Sequence, residues 1–207
     1  MIKAVFFDID GVLIDSFEAN LKFFQDLFAK AGYRPPTREE YKDLFYHPMI
    51  EVIRRIVGDQ SEQEVERVRA LGHDRTWYPL ELLKTPEGVR EILDQLAKKY
   101  QLGLVTSRLS GALWNIPQLA ALKDLFPTVV TFDDVENPKP DPEPLLVAAD
   151  RAGVKVEECV YVGDAITDFQ AAKAADMKII MYNNPAIESA DGYVSSFAEL
   201  PKSVASV

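Results

Sequence analysis

The chain has 207 residues, enough for one domain or for a core that carries a modest insertion. A hydrophobic content of 47% is that of a packed globular protein. The net charge of −10 argues against a nucleic-acid partner, whose backbone asks for basic patches.

The longest uncharged stretch, Leu109 to Leu122, holds 14 residues and contains Pro117. A membrane span needs ~20 apolar residues, so no membrane partner is expected. Near the N-terminus the apolar run ends at Asp8, too early for a signal peptide. The single Cys159 excludes an internal disulfide and fits a reducing cytoplasm. Its place beside Val160-Tyr161-Val162 suits a small core residue rather than a nucleophile.

In chain order, the run through Val5-Phe6-Phe7 reads as a buried strand that delivers Asp8 and Asp10 to a turn at Gly11. Phe17, Leu21, Phe24, Phe28 and Ala31 then step by four and three, the spacing of an amphipathic helix. Asp15 or Ser16 can cap its start, and Gly32 stops it. Helical segments are expected at about 37–45, 49–57 and 61–77, with no strand between them. Pro86-Glu87-Gly88-Val89 opens a further helix that ends near Lys99.

From there strands and helices alternate. Leu102 to Thr106, Thr128 to Phe132, Cys159 to Gly163 and Lys178 to Tyr182 read as strands. Pro142 to Ala152 and Ala165 to Ala175 read as helices between them. Such alternation predicts an α/β fold, a parallel sheet covered by helices, with 1–14 and 86–207 as the core and 15–85 as an inserted all-helical cap. Ligands of open α/β sheets sit outside the carboxyl ends of the strands.

The polar residues at those ends fit phosphoryl chemistry. Taken alone each has a plainer reading: Asp8 and Asp10 as turn formers, Asp164 as a helix cap, Lys139 as a solvated lysine in a stiff proline linker. Together they form a consistent set, each placed after an apolar run.

Asp8-Ile9-Asp10-Gly11-Val12-Leu13 resembles the first motif of the haloacid dehalogenase-like superfamily, the aspartyl-nucleophile phosphatases and phosphotransferases. Thr106 matches the second motif, Lys139 in Asn137-Pro138-Lys139-Pro140-Asp141 the third, and Val162-Gly163-Asp164-Ala165-Ile166-Thr167-Asp168 the fourth. All four occur in the family's order across the chain, and the branch resembled is the phosphoglycolate-phosphatase-like one with a helical cap.

The resemblance implies a Rossmann-like core and a phosphatase in which Asp8 is the nucleophile and Asp10 the general acid and base. Dehalogenases and phosphonate hydrolases of the family lack the second aspartate, so Asp10 points to phosphate esters. Asp8, the backbone carbonyl of Asp10, and Asp164 would hold Mg²⁺, with Asp168 orienting a ligand or a water beside it. Lys139 and Thr106 would contact the phosphoryl group, and Ser107 would bind substrate alongside them. Arg108 is read equally as a substrate contact or as solvent-exposed.

Asp8, Asp10, Asp164 and Asp168 against Lys139 leave a formal −3 at the proposed site. A phosphate would be repelled there without a cation, so charge and resemblance both ask for a metal. The cap is expected to set specificity, with His47 in Tyr46-His47-Pro48-Met49 as its candidate substrate contact, although a lone histidine is more often a surface or packing residue. Trp77 and Tyr78 are expected to pack the cap or its hinge. Asp176 departs from relatives, which commonly carry glycine at that position.

The partner expected is a small phosphate ester, the compartment cytoplasmic, and the assembly a monomer or weak homodimer. A sugar phosphomutase and a non-catalytic binding protein are the alternatives.

Overall fold

A computed structural model of the chain describes every residue except Tyr46, Pro48, Asp59, Gln60, Asp74, Arg75, Thr76 and Ala186, and leaves out the Ala112 side chain. The elements run β1 (Ala4–Phe7), α1 (Phe17–Ala31), α2 (Arg38–Lys42), α3 (Met49–Val57), α4 (Glu62–Leu71) and α5 (Val89–Ala97). They continue with β2 (Gln101–Val105), α6 (Ser110–Leu113), α7 (Pro117–Ala120), β3 (Thr128–Val130), α8 (Glu143–Ala152) and β4 (Cys159–Gly163). The last are α9 (Ile166–Ala174), β5 (Lys178–Tyr182), β6 (Gly192–Val194) and α10 (Leu200–Ser206).

The chain forms two compact units, Met1–Asp15 with Lys84–Val207, and Ser16–Leu83. In the first, six parallel strands lie in the order β3-β2-β1-β4-β5-β6. The chain winds from β1 out to β3 on one side, then from β4 to β6 on the other. β1 and β4 therefore flank a topological switch point, where open sheets bind ligands.

Every residue of β1 and β4 is buried. Near-continuous apolar runs are what a parallel strand covered on both faces requires. Phe7 sits level with Leu104 of β2 and Val162 of β4, so the residues that follow these strands emerge along one edge. Phe7 packs edge-on to Phe126 and is stacked with Phe197, with ring centroids 6.2 and 6.3 Å apart. Cys159 is fully buried, and burial pushes its thiol up to about 12, which suits a packing residue.

The chain leaves this unit at Asp15 and re-enters at Lys84. The two residues close a small antiparallel bridge, Asp15 N–H to Lys84 O at 2.8 Å and Lys84 N–H to Asp15 O at 3.2 Å.

The second unit is helical, with no strand among its described residues. Its core joins Phe23, Phe24, Leu27 and Phe28 of α1 to Tyr41, Val52, Ile53, Val65 and Val68. Trp77 stacks on Phe23 at 4.7 Å, and the Tyr78 hydroxyl donates to Asn20 Oδ1 at 2.6 Å, so both pack this unit. Gly32 ends α1 at φ 85°. Ser16 takes the N-cap position without a capping hydrogen bond and instead accepts one from Asn20 Nδ2 at 3.2 Å. Asp15 lies in the bridge rather than at the cap.

Three expectations need correction, and one strand was not expected. The helix expected over 61–77 stops at Leu71, where Gly72 takes the C-cap, and residues 74–76 lie outside the described set. The helix expected over 37–45 is helical only at Arg38–Lys42; Thr37 caps it, its hydroxyl accepting from the Glu40 amide at 3.3 Å. The strand expected to Phe132 ends at Val130 because Asp134 accepts the Thr131 N–H at 2.8 Å and turns the chain. β6, too short to stand out as a pattern, extends the sheet past Tyr182.

Candidate active site

All four motifs belong to the first unit, at the carboxyl ends of its strands. Asp8 follows β1 and donates its amide to Val162 O at 2.9 Å, which locks it to the end of β4. Thr106 follows β2, held by its amide to Val130 O at 3.0 Å. Asp164 follows β4, and Lys139 enters from the loop between β3 and α8.

Asp8, Asp164 and Asp168 are buried and place one carboxylate oxygen each within 4.8 Å of one another. Lys139 lies against them, 5% exposed, with Nζ 3.0 Å from Asp8 Oδ1 and 2.6 Å from Asp168 Oδ1. Its third donor goes to the Tyr161 hydroxyl at 2.9 Å. That hydroxyl lies 3.0 Å from Val105 O and 3.1 Å from Asp168 Oδ1.

Asp168 Oδ2 accepts the amides of Asp164 and Ala165, both at 3.1 Å. Both of its oxygens are therefore engaged, one by the start of α9 and the other by Lys139 and Tyr161. Asp168 builds the site by fixing Lys139 and the Asp164 backbone. Gly163 makes room for it, since a Cβ there would stand 2.5 Å from Asp168 Cβ.

The Asp164 carboxylate accepts no hydrogen bond from a described residue, and Asn184 Nδ2 holds its backbone carbonyl at 2.7 Å. Gly11, at φ 81°, brings the loop after β1 against this carboxylate. A Cβ at Gly11 would stand 1.9 Å from Asp164 Oδ2, so both the backbone angle and the space demand glycine.

Burial pushes the Asp8 carboxyl up to about 7; the Lys139 charge opposes this, and Asp168 and Asp10 add to it. Burial, with Asp168 and Asp8 adding to it, also raises Asp164 well above the usual carboxylate range. For Lys139, burial acts to lower its value, but Asp168 and Asp8 outweigh it, so the ammonium is held above its ordinary range. A buried carboxylate without a donor beside two others suits a cation, and the all-oxygen set suits a hard one such as Mg²⁺.

Arg108 belongs to the site. Its Nε and Nη2 each lie 2.6 Å from an oxygen of Asp10, a fork on a carboxylate. The side chains are only 17% and 29% exposed, so the solvent-exposed reading of Arg108 fails. With Arg108 present the formal charge of the group is −2 rather than −3, still short of neutral.

Thr106 is buried and its Oγ1 accepts the Arg108 amide at 3.2 Å, leaving its own proton to donate; Ser107 is exposed beside it. His47 lies in the helical unit, its amide bonded to Leu44 O at 3.0 Å, while Tyr46 and Pro48 lie outside the described residues.

Two positioning groups escaped the sequence reading. Tyr161 carried a signal, a phenol inside an apolar strand, which must find partners when buried. Glu143 at the start of α8 accepts the amides of Glu136 and Asn137 at 3.0 and 2.9 Å and so ties down the loop that carries Lys139. The prolines account for only part of that loop's order.

Comparison with known proteins agrees with this geometry. The model of the haloacid dehalogenase-like hydrolase family matches residues 5–182. The chain is a haloacid dehalogenase-like hydrolase. It is 36% identical to the pyrophosphatase PpaX of Bacillus velezensis over 180 residues, 86% of this chain and 81% of that one. A haloacid dehalogenase-superfamily hydrolase of subfamily IA from Geobacter sulfurreducens superposes with a TM-score of 0.76 at 32% identity, covering 97% and 95% of the two chains. A putative phosphoglycolate phosphatase from Lactobacillus plantarum superposes with a TM-score of 0.88 at 21% identity, covering 98% and 99%, and bears on the fold alone. The Rossmann-like α/β architecture expected from the sequence is borne out, and the protein is an enzyme of the phosphatase kind. Among the described residues no helix is long and apolar enough to cross a membrane.

Proposed function

We propose that this haloacid dehalogenase-like phosphatase hydrolyses a small phosphorylated metabolite, with Mg²⁺, through an aspartyl phosphate on Asp8. The carrying observation is the Asp8 carboxylate. Lys139 tethers Oδ1 at 3.0 Å, while no described group donates to Oδ2. The buried, undonated Asp164 lies beside it. One oxygen is fixed and the other is left to attack.

In this reading Asp8 Oδ2 bonds to phosphorus as the leaving oxygen departs, and Asp10 gives that oxygen its proton. Asp10 then takes a proton from the water that attacks the acyl phosphate, which regenerates Asp8 and releases inorganic phosphate. Lys139 and the Thr106 hydroxyl stabilise the charge on the phosphoryl oxygens, and Ser107 contributes at the rim of the same loop. Asp8, Asp164 and the Asp10 carbonyl would hold Mg²⁺, which supplies charge neutralisation at the phosphoryl group. Asp168 keeps Lys139 and the Asp164 backbone in place.

The substrate is a phosphomonoester or, from the name of the PpaX relative, the related anhydride pyrophosphate. The helical unit, His47 included, would act as a cap that sets specificity. The enzyme would act in the cytoplasm, as a monomer or weak homodimer.

The test is to expose the protein to a phosphate ester with a good leaving group, quench, digest and map the phosphate. Asp8→Asn should form no acyl phosphate. Asp10→Asn should phosphorylate Asp8 and then stall, with turnover down by ~10²–10⁴-fold. A phosphate mapped elsewhere, or normal turnover in Asp8→Asn, refutes the mechanism.

A further inference from the structure

The fork between Arg108 and Asp10 conflicts with the work assigned to Asp10. Nε and Nη2 each lie 2.6 Å from one Asp10 oxygen, so the fork pins the carboxylate and takes a lone pair of each oxygen, in competition with a leaving group or a water. Withdrawal of the guanidinium would release the carboxylate from that competition.

Lys139 cannot be the displaced partner's replacement, because its three donors already go to Asp8, Asp168 and Tyr161. The Arg108 main chain, by contrast, is anchored on both sides. Its amide donates to Thr106 Oγ1 at 3.2 Å, and its carbonyl accepts the Phe132 amide at 3.0 Å. The guanidinium can therefore change partner by side-chain rotation, with the loop held still.

Position says what the new partner is. Asp10 must reach the oxygen between phosphorus and the leaving group, and Arg108 lies within hydrogen-bond reach of both Asp10 oxygens. The guanidinium thus stands on the leaving-group side, whereas Lys139, bonded to Asp8, stands on the side of the transferred phosphoryl group. An anionic group on the leaving portion offers Arg108 the same planar, two-oxygen partner that Asp10 now supplies.

We propose that Arg108 selects substrates whose leaving group carries a second anion, by exchanging Asp10 for that anion and so freeing Asp10 to act. A neutral leaving group has nothing to exchange and leaves Asp10 held. Substrate binding and assembly of the acid–base group become one event, which is how an enzyme gains discrimination without a rigid pocket. The inference rests on the phosphatase reading for the role of Asp10.

The experiment compares kcat/KM for two anionic-leaving-group substrates, inorganic pyrophosphate and phosphoglycolate, with that for glycerol 2-phosphate, whose leaving group is a neutral alcohol that needs a proton to depart. Wild type, Arg108→Gln and Arg108→Lys are measured with Mg²⁺. Arg108→Gln should lower the anionic-to-neutral ratio by about 10–100-fold, the range for a charge-assisted pair, and Arg108→Lys should retain part of it. The ratio cancels any loss of folded enzyme. Whichever of the two substrates loses more tells a diphosphate from a phospho-carboxylate. A ratio unchanged within about twofold for both overturns the proposal.

Calorimetry of pyrophosphate binding to Asp8→Asn, with and without Arg108→Gln, separates this from the phosphatase reading. Weaker binding on loss of Arg108, together with a wild type that hydrolyses none of the three substrates, keeps the anion receptor and sinks the reaction. Hydrolysis with an unchanged ratio does the reverse.

Discussion

Removing divalent metal and then raising the pH should destabilise the protein, because Asp8 holds a proton in the fold that it has lost in the unfolded chain. Burial lifts this carboxyl from 3.8 to about 7. Between about pH 4 and 7 the folded state binds more protons than the unfolded state, so stability is fullest below about 4 and declines as pH rises through 7. Asp164, also raised by burial, adds to the decline. A shift of about three pH units is worth at most ~4 kcal/mol.

The exposed pairs act with the opposite sign but in another window. Glu40 and Glu64 are held down to about 2 by Arg34 and Arg67 respectively, so their stabilisation is complete by about pH 5. For a chain of this length ~1 kcal/mol moves Tm by ~2–4 °C. Chelated protein should therefore lose several degrees between about pH 5 and 7.5 in a thermal scan. On the proposed function Mg²⁺ would bind the ionised carboxylates, so adding it should restore most of the loss at the upper end. Asp8→Asn, neutral throughout, should show a shallower decline. A metal-free Tm that is flat or rises over this window, or an Asp8→Asn slope equal to wild type, refutes the account of the buried carboxylates.

Tyr161→Phe keeps the ring in β4 but removes the acceptor of Lys139, so kcat/KM should fall by ~10-fold, the usual worth of one charged hydrogen bond. Kinetics on a protein of unchanged circular dichroism checks this, and wild-type kinetics would remove Tyr161 from the positioning of Lys139. Asp176 sits at φ 55°, a left-handed position that glycine adopts without strain. Asp176→Gly should raise stability by ~0.5–1 kcal/mol in a thermal or urea scan, and a loss would show that the aspartate side chain holds the turn.

The parts legible in the sequence are those written locally. Runs such as Ala4–Phe7 and Cys159–Gly163 are apolar over the whole length of a strand because both faces of a parallel sheet are covered. The Phe17–Ala31 helix announces itself by the three-four spacing of its buried residues and by Gly32. Asp8, Thr106 and Asp164 could be placed at strand ends because each follows such a run directly. Boundaries were less legible where capping decides them, as at Gly72 and Asp134, since one hydrogen bond ends an element whose pattern would carry it further.

What the sequence could not disclose is which polar groups meet. Arg108 and Asp10 are 98 residues apart, Lys139 and Asp8 are 131, and no periodicity links them. Lys139 is legible because it falls in a motif, whereas the sequence around Arg108 fits a substrate contact and a solvent-exposed residue equally. The distinction matters for the reaction. A count of charges gives a site that repels phosphate by −3, which a metal alone must cure. The folded site divides the problem: Lys139 is spent on Asp8 and Asp168, where the proposed mechanism would bring the phosphoryl group, and Arg108 on Asp10, where it would release the leaving group. On the proposed exchange at Arg108, binding an anion and releasing Asp10 would be the same event, while Lys139 would keep its hold on Asp8.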